Sequence, residues 1–489
     1  MCMWANVQVN KHKPFFIILL ALFLGSCAVG PDFVSPQAPE GAAYLKNDEP
    51  WQTIRADGKT QMFHSGTWTD ANWWMMFQSE TLNAEVEQAL KQNPSLLASE
   101  ASLKQSQDLM RAGYGVFFPQ VSVGLGASRI ANAPMQLGSA APGSIFNLLT
   151  ASASVSYVLD IFGGERRQVE ALRAQVDYQK YSTNAAYLML SANVVNTSIA
   201  RAGYLEEIKV TEELITLEKE QLKVAQAQVT GGTAAYATVL SIQSLIASNE
   251  ASIASLRQRV SQAEHLLAAL EGVDPSHVTL STITLESLTL PADIPVTLPS
   301  DLVRNRPDIL AAEAQMHVAS ANIGVATAEM FPSVSLSATY GVASNTFSSL
   351  SGPSQQFWSA GPGISIPIFK GGSLYYARQA SLDAYEQTQA SYKQIVLNAF
   401  AEVADCLTAL VHDAQAVQGQ LDAKTAAAEA LKLMQINYNA GLVDYLSVLI
   451  ADVQYHQASI AYVQALAQRY QDTVALYVAL GGGWGEVKN

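Results

Sequence analysis

The chain has 489 residues, and its 28 lysines and arginines against 42 aspartates and glutamates give a formal net charge of −14. This acidic balance argues against a nucleic-acid partner, because nucleic-acid binding needs clustered positive charge. Three cysteines allow no disulfide framework once Cys2 and Cys27 are assigned to an N-terminal signal, and we expect Cys406 to be a small buried side chain in a helix.

The first 26 residues have the organisation of a secretory signal. A basic stretch at residues 11–13 precedes the apolar run from Phe15 to Leu24, which is too short for a membrane-spanning helix of roughly 20 residues. Leu24-Gly25-Ser26-Cys27 follows and resembles the bacterial lipobox. That resemblance implies cleavage before Cys27 and acylation of its sulfur and new amine. The alternative is a plain secretory signal with an incidental cysteine.

Three motifs recur in the same order in the two halves of the chain. The pairs are Phe118–Val123 with Phe331–Leu336, Asp160–Gly164 with Pro367–Gly372, and Gly232–Leu240 with Gly441–Leu449. The spacing is nearly constant and far too long for a solenoid repeat. The sequence therefore predicts a duplicated half-molecule.

Each half contains two segments in which apolar residues alternate with serine, threonine or glycine. The alternating segments lie within residues 121–128, 151–159, 333–342 and 358–368. Alternation over about ten residues without charge is typical of transmembrane β-barrel strands, although a sandwich strand with one wet face has the same period. We predict two β-hairpins, at residues 120–160 and 333–369. Their loops, Asn132–Ser144 and Ser344–Gln356, would face the exterior.

Four strands cannot close a barrel, and lipid excludes an open sheet edge. If these strands span the membrane, several chains must therefore share one barrel. Three copies would supply twelve strands, an even number within the known range.

The remaining segments are helical. The predicted helices are Pro94–Phe117, Gly164–Thr230, Ala234–Glu271, Pro307–Phe331, Ser373–Asn439 and Leu442–Leu480. The two longest contain no proline and would span roughly 100 Å each. Apolar heptads along Ser373–Asn439 predict a left-handed coiled coil, and the chain would reverse at Gly231-Gly232 and at Gly441.

Several short motifs follow one another in an order that resembles a known family. They are Cys27–Phe33, Trp73-Trp74 with Phe77, Leu82–Pro94, Asn305–Ile309, Phe331-Pro332, Pro367–Phe369 and Gly441–Leu449. With these motifs the chain resembles the TolC-like outer-membrane efflux proteins, in particular the lipoprotein branch that serves RND-type pumps (the OprM or NodT type). The similarity covers essentially the whole mature chain.

The resemblance implies a homotrimer with a twelve-stranded barrel, a coiled-coil helical tunnel in the periplasm and a mixed equatorial belt. It also implies that a periplasmic adaptor docks at the turns containing Gly231, Gly232 and Gly441, and that an inner-membrane RND-type pump supplies the energy. The corresponding segments are residues 1–26 (signal peptide), 27–80 (lipid-anchored and equatorial), 81–272 (first repeat), 273–300 (equatorial linker), 301–480 (second repeat) and 481–489 (tail).

The family closes its periplasmic mouth with an acidic ring near the second of these turns. Many relatives carry an aspartate where this chain has Ile450, so the match is imperfect here. We expect Asp444 to be the better ring candidate, ahead of the more distant Asp452, although it is equally well explained as an exposed acid favoured by a helix N-terminus. Tyr445 and its repeat mate Tyr236 either brace the closed mouth or pack the coil.

The sequence contains no H-E-x-x-H, Walker A, G-x-G-x-x-G or G-x-S-x-G motif and no zinc-binding cysteine–histidine cluster. We therefore predict no enzyme, and no cofactor beyond the lipid on Cys27. The predicted function is passive export through the outer membrane. Two alternatives stay open, namely the outer-membrane duct of a protein-secretion system and a non-conducting lipoprotein that tethers envelope layers.

Overall fold

The computed structural model describes residues 28–37, 43–45, 52–66, 71–132, 143–278, 280–352 and 355–482. The predicted signal peptide, Cys27 and most of the predicted tail lie outside the described residues. Two compact units are present. One comprises the described parts of residues 1–35, 104–178 and 312–392, and the other those of 36–103, 179–311 and 393–489.

The described part of the chain is mostly helical. Its α-helices are α1 Glu80–Gln92, α2 Pro94–Gly113, α3 Gly164–Thr230, α4 Tyr236–Leu270, α5 Pro299–Asn305, α6 Pro307–Ala328, α7 Ser373–Asn439 and α8 Tyr445–Ala479. Its strands are β1 Met62–Ser65, β2 Gln120–Asn132, β3 Ser144–Leu159, β4 Asp293–Val296, β5 Ser333–Ser344 and β6 Gln356–Ser365. Both 67-residue helices, α3 and α7, begin and end at the predicted residues.

The first unit contains a four-stranded antiparallel sheet in the order β2-β3-β5-β6. Its register places apolar side chains opposite apolar side chains on the neighbouring strand. Val123 lies opposite Ala153, Ala153 opposite Tyr340, and Tyr340 opposite Trp358, so apolar residues share one face. Because side chains alternate along each strand, the other face consists mostly of serines, threonines and glycines, although Leu148, Val158 and Phe357 also lie on it.

The fourth predicted strand is shorter in the structure than in the sequence analysis. β6 ends at Ser365, so Ile366, Pro367 and Ile368 follow the strand instead of extending it to 368. Ser365 pairs with Ser333, the first residue of β5, so no residue of β5 remains for Ile366 to pair with. The described strand bears ten residues, all of them exposed in the isolated chain.

The second unit packs its helices around an aromatic core. Trp73, Trp74 and Phe77 are at most 1% exposed. Trp73 stacks on Tyr477 with ring centroids 6.1 Å apart, and its indole N–H donates to the hydroxyl of Ser191 at 3.1 Å. The same unit contains a parallel β1–β4 pair, which joins the predicted equatorial segment 27–80 to the predicted equatorial linker 273–300 and was not predicted as strands.

Arg306 ties several elements of the second unit together. Its guanidinium donates to Asp308 at 2.9 Å, to the carbonyl of Ala479 at 3.0 Å and to Glu402. Burial opposes its charge, but the two carboxylates outweigh burial and raise the pKa of Arg306. The Arg-Pro-Asp-Ile motif therefore connects the start of α6 to α7 and to the end of α8.

The predicted heptad seam of α7 is buried at several positions of the second unit. Val396, Ala399, Val403 and Val417 are at most 4% exposed. Cys406 is half-buried rather than buried, and burial together with nearby acids raises the pKa of its thiol to about 12. Such a thiol stays protonated and unreactive at neutral pH.

Candidate functional site

The two turns that join the paired helices have the same backbone. In the first turn, residues 228–235, the N–H of Gly232 donates to Val229 and that of Thr233 to Gln228. In the second turn, residues 437–444, Gly441 donates to Tyr438 and Leu442 to Asn437 in the same pattern. This is the Schellman arrangement, in which the residue after the helix is left-handed.

Glycine is required at one of the predicted positions in each turn. Gly232 and Gly441 have φ angles of +75° and +74°, a region that side chains with a Cβ avoid. Gly231 is different, because its φ is not positive and its equivalent in the second turn is Ala440. Of the three glycines assigned to the turns, Gly231 therefore has no conformational need to be glycine.

The turns differ in how the following helix begins. Asp444 is the N-cap of α8, and its carboxylate accepts hydrogen bonds from the N–H of Ser447 at 3.0 Å and its hydroxyl at 2.7 Å. These bonds lower the pKa of Asp444, so the exposed carboxylate is ionised at neutral pH. Ala235, the N-cap of α4, offers no side-chain cap.

The two repeat-related tyrosines are in opposite environments. Tyr445 is 8% exposed and packs among apolar residues of α3, α4 and α8, with its ring edge-on to Tyr438 at 5.4 Å. Burial and the charge of Asp452 raise the pKa of its phenol. Tyr236 is 62% exposed. Within one chain, Tyr445 therefore packs the helices, whereas Tyr236 is free to contact a neighbouring molecule.

A groove of 560 Å³ lies between α4 and α8 beside the turns. Its α4 side consists of Ser241, Ser244, Leu245 and Ser248, and its α8 side of Leu449, Ile450, Val453 and Gln454. Ile450 is 51% exposed and lines this groove. No charged residue occurs between residues 224 and 249 of the sequence. The groove is therefore partly apolar and lined by uncharged residues.

The segment that follows Cys27 is fixed to the first unit. The N–H of Val29 donates to Phe162 at 3.0 Å, and Arg167 donates to Asp32 at 2.7 Å. Burial opposes the charge of Arg167, but Asp32 and Glu170 raise its pKa. Gly30 has a φ of +94°, and a Cβ there would lie 2.5 Å from the backbone of Gly324. These contacts account for Gly30 and Asp32 of the N-terminal motif.

A stacked ring completes the attachment of this segment. Phe33 lies on the imidazole of His317, with centroids 4.4 Å apart and planes 10° from parallel. The Nε2 atom of His317 is 2.9 Å from Glu170, which also accepts from Arg167 at 2.8 Å. Cys27 itself lies outside the described residues. Its nearest described neighbour, Ala28, contacts Gly163 at the junction of β3 and α3.

The ionisable side chains of the described residues form no metal-binding group, but several of them are buried. Among the described residues, no group of three or more histidines, cysteines, aspartates or glutamates is placed to hold a metal ion. The structure does, however, bury Glu218, Asp452 and His456. The sequence contains one signal for the burial of Asp452 and His456, because these polar residues occupy seam positions of α8 that are normally apolar.

Comparisons with known proteins agree with this architecture. Residues 86–273 and 298–482 match the family described as outer membrane efflux protein. Nodulation protein T of Rhizobium leguminosarum bv. viciae is 30% identical over 476 residues, covering 96% of this chain and 93% of that protein. The probable efflux pump outer membrane protein TtgC of Pseudomonas putida is 28% identical over 480 residues, 96% of this chain and 95% of that protein.

A solved structure shows the same fold. The outer-membrane channel OprN is 28% identical and superposes with a TM-score of 0.83, covering 94% of this chain and 100% of the OprN chain. The predicted family and location are therefore confirmed. The chain belongs to the outer membrane efflux protein family, and it is an outer-membrane channel component of an efflux system.

Proposed function

We propose that three copies of this chain form the outlet of a tripartite efflux system. Their strands make a twelve-stranded barrel in the outer membrane, and their helices make a coiled-coil tunnel in the periplasm. Substrates delivered by an inner-membrane RND-type pump and a periplasmic adaptor pass through it passively. The channel catalyses no reaction and needs no cofactor, since the pump supplies the energy. The two halves of each chain are copies of one ancestral unit.

One observation carries this proposal, namely the apolar face of the four-stranded sheet. Val123, Leu125 and Trp358 are 75%, 83% and 75% exposed in the isolated chain. A soluble sheet would bury such a face, whereas a membrane strand turns it to lipid. The serine, threonine and glycine face would then line the lumen.

The order of the strands supports a barrel shared between chains. Within the described residues, β2 and β6 each pair on one side only. Successive strands are antiparallel, so β6 of one copy runs antiparallel to β2 of the next. Pairing these edges removes the open sheet edge that lipid does not tolerate.

Two neighbouring substitutions test the orientation of the sheet. Val123→Lys places a charge on the apolar face, where it costs about 2–4 kcal/mol near the membrane midplane. Ser122→Lys places the same charge on the polar face and serves as the matched control. We expect Val123→Lys to reduce the trimer recovered from outer membranes, while Ser122→Lys assembles normally. Equal recovery of the two variants would contradict a lipid-facing apolar surface.

The lipid anchor on Cys27 is supported by the firm attachment of residues 28–35 to the first unit. Several acyl chains at this position would hold the barrel-forming unit at the membrane, because each buried methylene contributes about 0.8 kcal/mol. Intact-mass spectrometry of the purified protein tests this proposal. Cys27→Ser should lack the lipid mass. An unmodified wild-type mass that retains residues 1–26 would contradict lipidation.

Adaptor docking at the turns is supported by the uncharged groove between α4 and α8. A Ser244→Trp substitution would fill this groove, whereas Ser255→Trp adds the same ring to an exposed site farther along α4. We expect only Ser244→Trp to prevent co-purification of a coexpressed adaptor. Bilayer conductance should be unchanged in both variants. Equal co-purification would exclude the groove from the docking surface.

A further inference from the structure

Three consecutive positions on one stripe of α8 are polar. The stripe begins with Tyr445 and Leu449 and continues at the alternating spacing of three and four residues that is typical of a coiled-coil seam. Asp452, His456 and Ser459 occupy its next positions, and they are 0%, 4% and 1% exposed. Seam positions normally carry apolar residues, so this run needs an explanation.

These groups are buried without ordinary partners. Among the described residues, neither carboxylate oxygen of Asp452 and neither ring nitrogen of His456 has a hydrogen-bond partner, and the hydroxyl of Ser459 also has none. Glu218 of α3 is 0% exposed and accepts one hydrogen bond, from the side-chain amide of Asn249 at 2.9 Å. Its second oxygen has no partner. Buried polar groups are nearly always paired, so this cluster is exceptional.

The two carboxyl groups favour the neutral state where they lie. Burial raises the pKa of Glu218 to about 7, with the amide of Asn249 opposing this shift and the charge of Asp452 adding to it. Burial also raises the pKa of Asp452 to about 6. The imidazole of His456 is likewise kept neutral, because burial lowers its pKa to about 4.

The elements packed around the cluster present mainly uncharged groups. Helix α4 contributes Asn249, and α7 contributes Tyr438, which contacts Tyr445. Within α8, the ring of Tyr455 lies edge-on to His456 with centroids 5.4 Å apart. When Glu218 of α3 loses its proton, it adds a negative charge that repels the charge of Asp452.

We propose that Glu218, Asp452 and His456 form an internal proton-binding site that controls how tightly α8 packs against α3. When the two carboxyl groups are protonated, the seam is neutral and closely packed. When they ionise, buried like charges loosen α8 from Tyr445 onward. The inference rests on the proposed function at one point: Tyr445, where the loosening begins, directly follows Asp444 at the proposed periplasmic mouth.

The packing of α8 against α3 is expected to tighten as the pH falls. The packed state raises both carboxyl pKa values above their ordinary range, so packing is favoured at low pH and weakens progressively as pH rises from about 4 to about 7. His456 acts in the opposite direction, because packing lowers its pKa and acid therefore favours its release. Two groups that gain a proton on packing outweigh one that loses it. Acidification from pH 7 to 5 should therefore tighten the seam.

The internal repeat shows that this site is not a requirement of the fold. At a spacing of 209 residues, Ala427 corresponds to Glu218, Gln243 to Asp452, and Ala247 to His456. None of the three corresponding residues is ionisable. The site therefore distinguishes the second turn from the first, as expected for a device that acts at only one of them.

Infrared spectroscopy of the full-length trimer in detergent tests the site directly. The difference between wild type and the Glu218→Gln/Asp452→Asn variant should contain a protonated-carboxyl band that disappears with a midpoint between about pH 6 and 7. Glu250→Gln is the control, because Glu250 is an exposed acid of α4 that pairs with Lys219 at 2.7 Å. Its substitution should leave the cluster band unchanged. A cluster band that titrates below about pH 5 would overturn the proposal.

Hydrogen exchange of residues 445–459 tests the consequence for packing. After correction for the intrinsic exchange rate, wild-type exchange should accelerate between pH 5 and 7, by at most about tenfold per pH unit for each carboxyl group. The double variant should lose this acceleration, because His456, which acts in the opposite direction, is the one titrating member of the cluster that it retains. Asp444 is retained throughout. Equal pH dependence in both proteins, or none in wild type, would overturn the proposal. Neither measurement requires conduction, so failure of the channel function would be recognised separately.

Discussion

The first and second turns share one backbone but differ in the N-cap residue and in the burial of the tyrosine that follows it. Gly232 and Gly441 adopt the same left-handed conformation and close the same pair of hydrogen bonds. The second turn adds an acidic N-cap and a buried tyrosine at the start of α8, followed on the same helix by Asp452 and His456 of the polar cluster. The first turn has Ala235 and an exposed tyrosine at the equivalent positions.

The features that the two turns share set the backbone conformation, whereas the features found in one turn only point to a function. The glycine turn reverses the chain in both halves, so the features that occur in only one half serve something other than chain reversal. We propose that the uncharged first turn contributes mainly to adaptor docking. The acidic second turn would contribute mainly to closing the mouth.

The largest effect is expected from removing the shared glycines. Gly232→Val and Gly441→Val each force a β-branched residue to a positive φ, which costs of order 1–3 kcal/mol. Thermal unfolding of the purified trimer should show similar destabilisation for both. Gly231→Ala is the control and should be neutral, because Ala440 occupies the equivalent position. Unequal losses for the two valine variants would show that the turns are not equivalent in backbone strain.

Asp444 should dominate the behaviour of the mouth. Asp444→Ala removes both the charge and the helix cap, whereas Asp444→Asn removes the charge and keeps a capping side chain. We expect both variants to raise leak conductance in planar bilayers, with alanine having the larger effect. If only the alanine variant leaks, the cap alone matters. Unchanged conductance in both would remove Asp444 from the gate.

The converse change should strengthen the first turn. Ala235→Asp introduces an N-cap acid at the start of α4. In the wild type, the N–H of Thr238 donates to the carbonyl of Ala235, and no side chain caps this helix. We expect stabilisation by about 0.5–1 kcal/mol, measured as slower hydrogen exchange in the first turn of α4. Ala235→Val lacks a capping oxygen and is the control. No difference between the two variants would mean that the turn cannot adopt the capped geometry.

The smallest effect is expected at the tyrosines. The Tyr445 hydroxyl is buried without a hydrogen-bond partner among the described residues, so Tyr445→Phe should be neutral or stabilising by up to about 1 kcal/mol. Tyr236→Phe should change nothing in the unfolding of the trimer, because that side chain is exposed. A clear loss of stability in Tyr445→Phe would reveal a partner supplied by a neighbouring copy.

Features governed by local chain chemistry were predictable from sequence. The absence of proline defines α3 and α7, and period-2 alternation defines the four strands. The β1–β4 pair was missed because each strand has only four residues and its partner lies more than 200 residues away. So short a strand carries too little pattern to be recognised.

The environment of the candidate site could be predicted only in part. The sequence identified Gly232 and Gly441 because a turn conformation depends on the residue itself. It could not show that Tyr445 is buried and Tyr236 exposed, because burial depends on which helices pack against each one. The proximity of Glu218 to Asp452 was inaccessible for the same reason, since they lie on helices from different halves of the chain.

Single-channel recording of the purified full-length protein in planar bilayers tests the proposed duct most directly. Wild-type trimers should insert and remain mostly closed, and Asp444→Ala should produce discrete, long-lived conductance steps of one size. Native mass spectrometry of the same preparation should show three chains. Trimers that insert and yet never conduct, either as wild type or with Asp444→Ala, would contradict a continuous passage through the barrel and the helical tunnel.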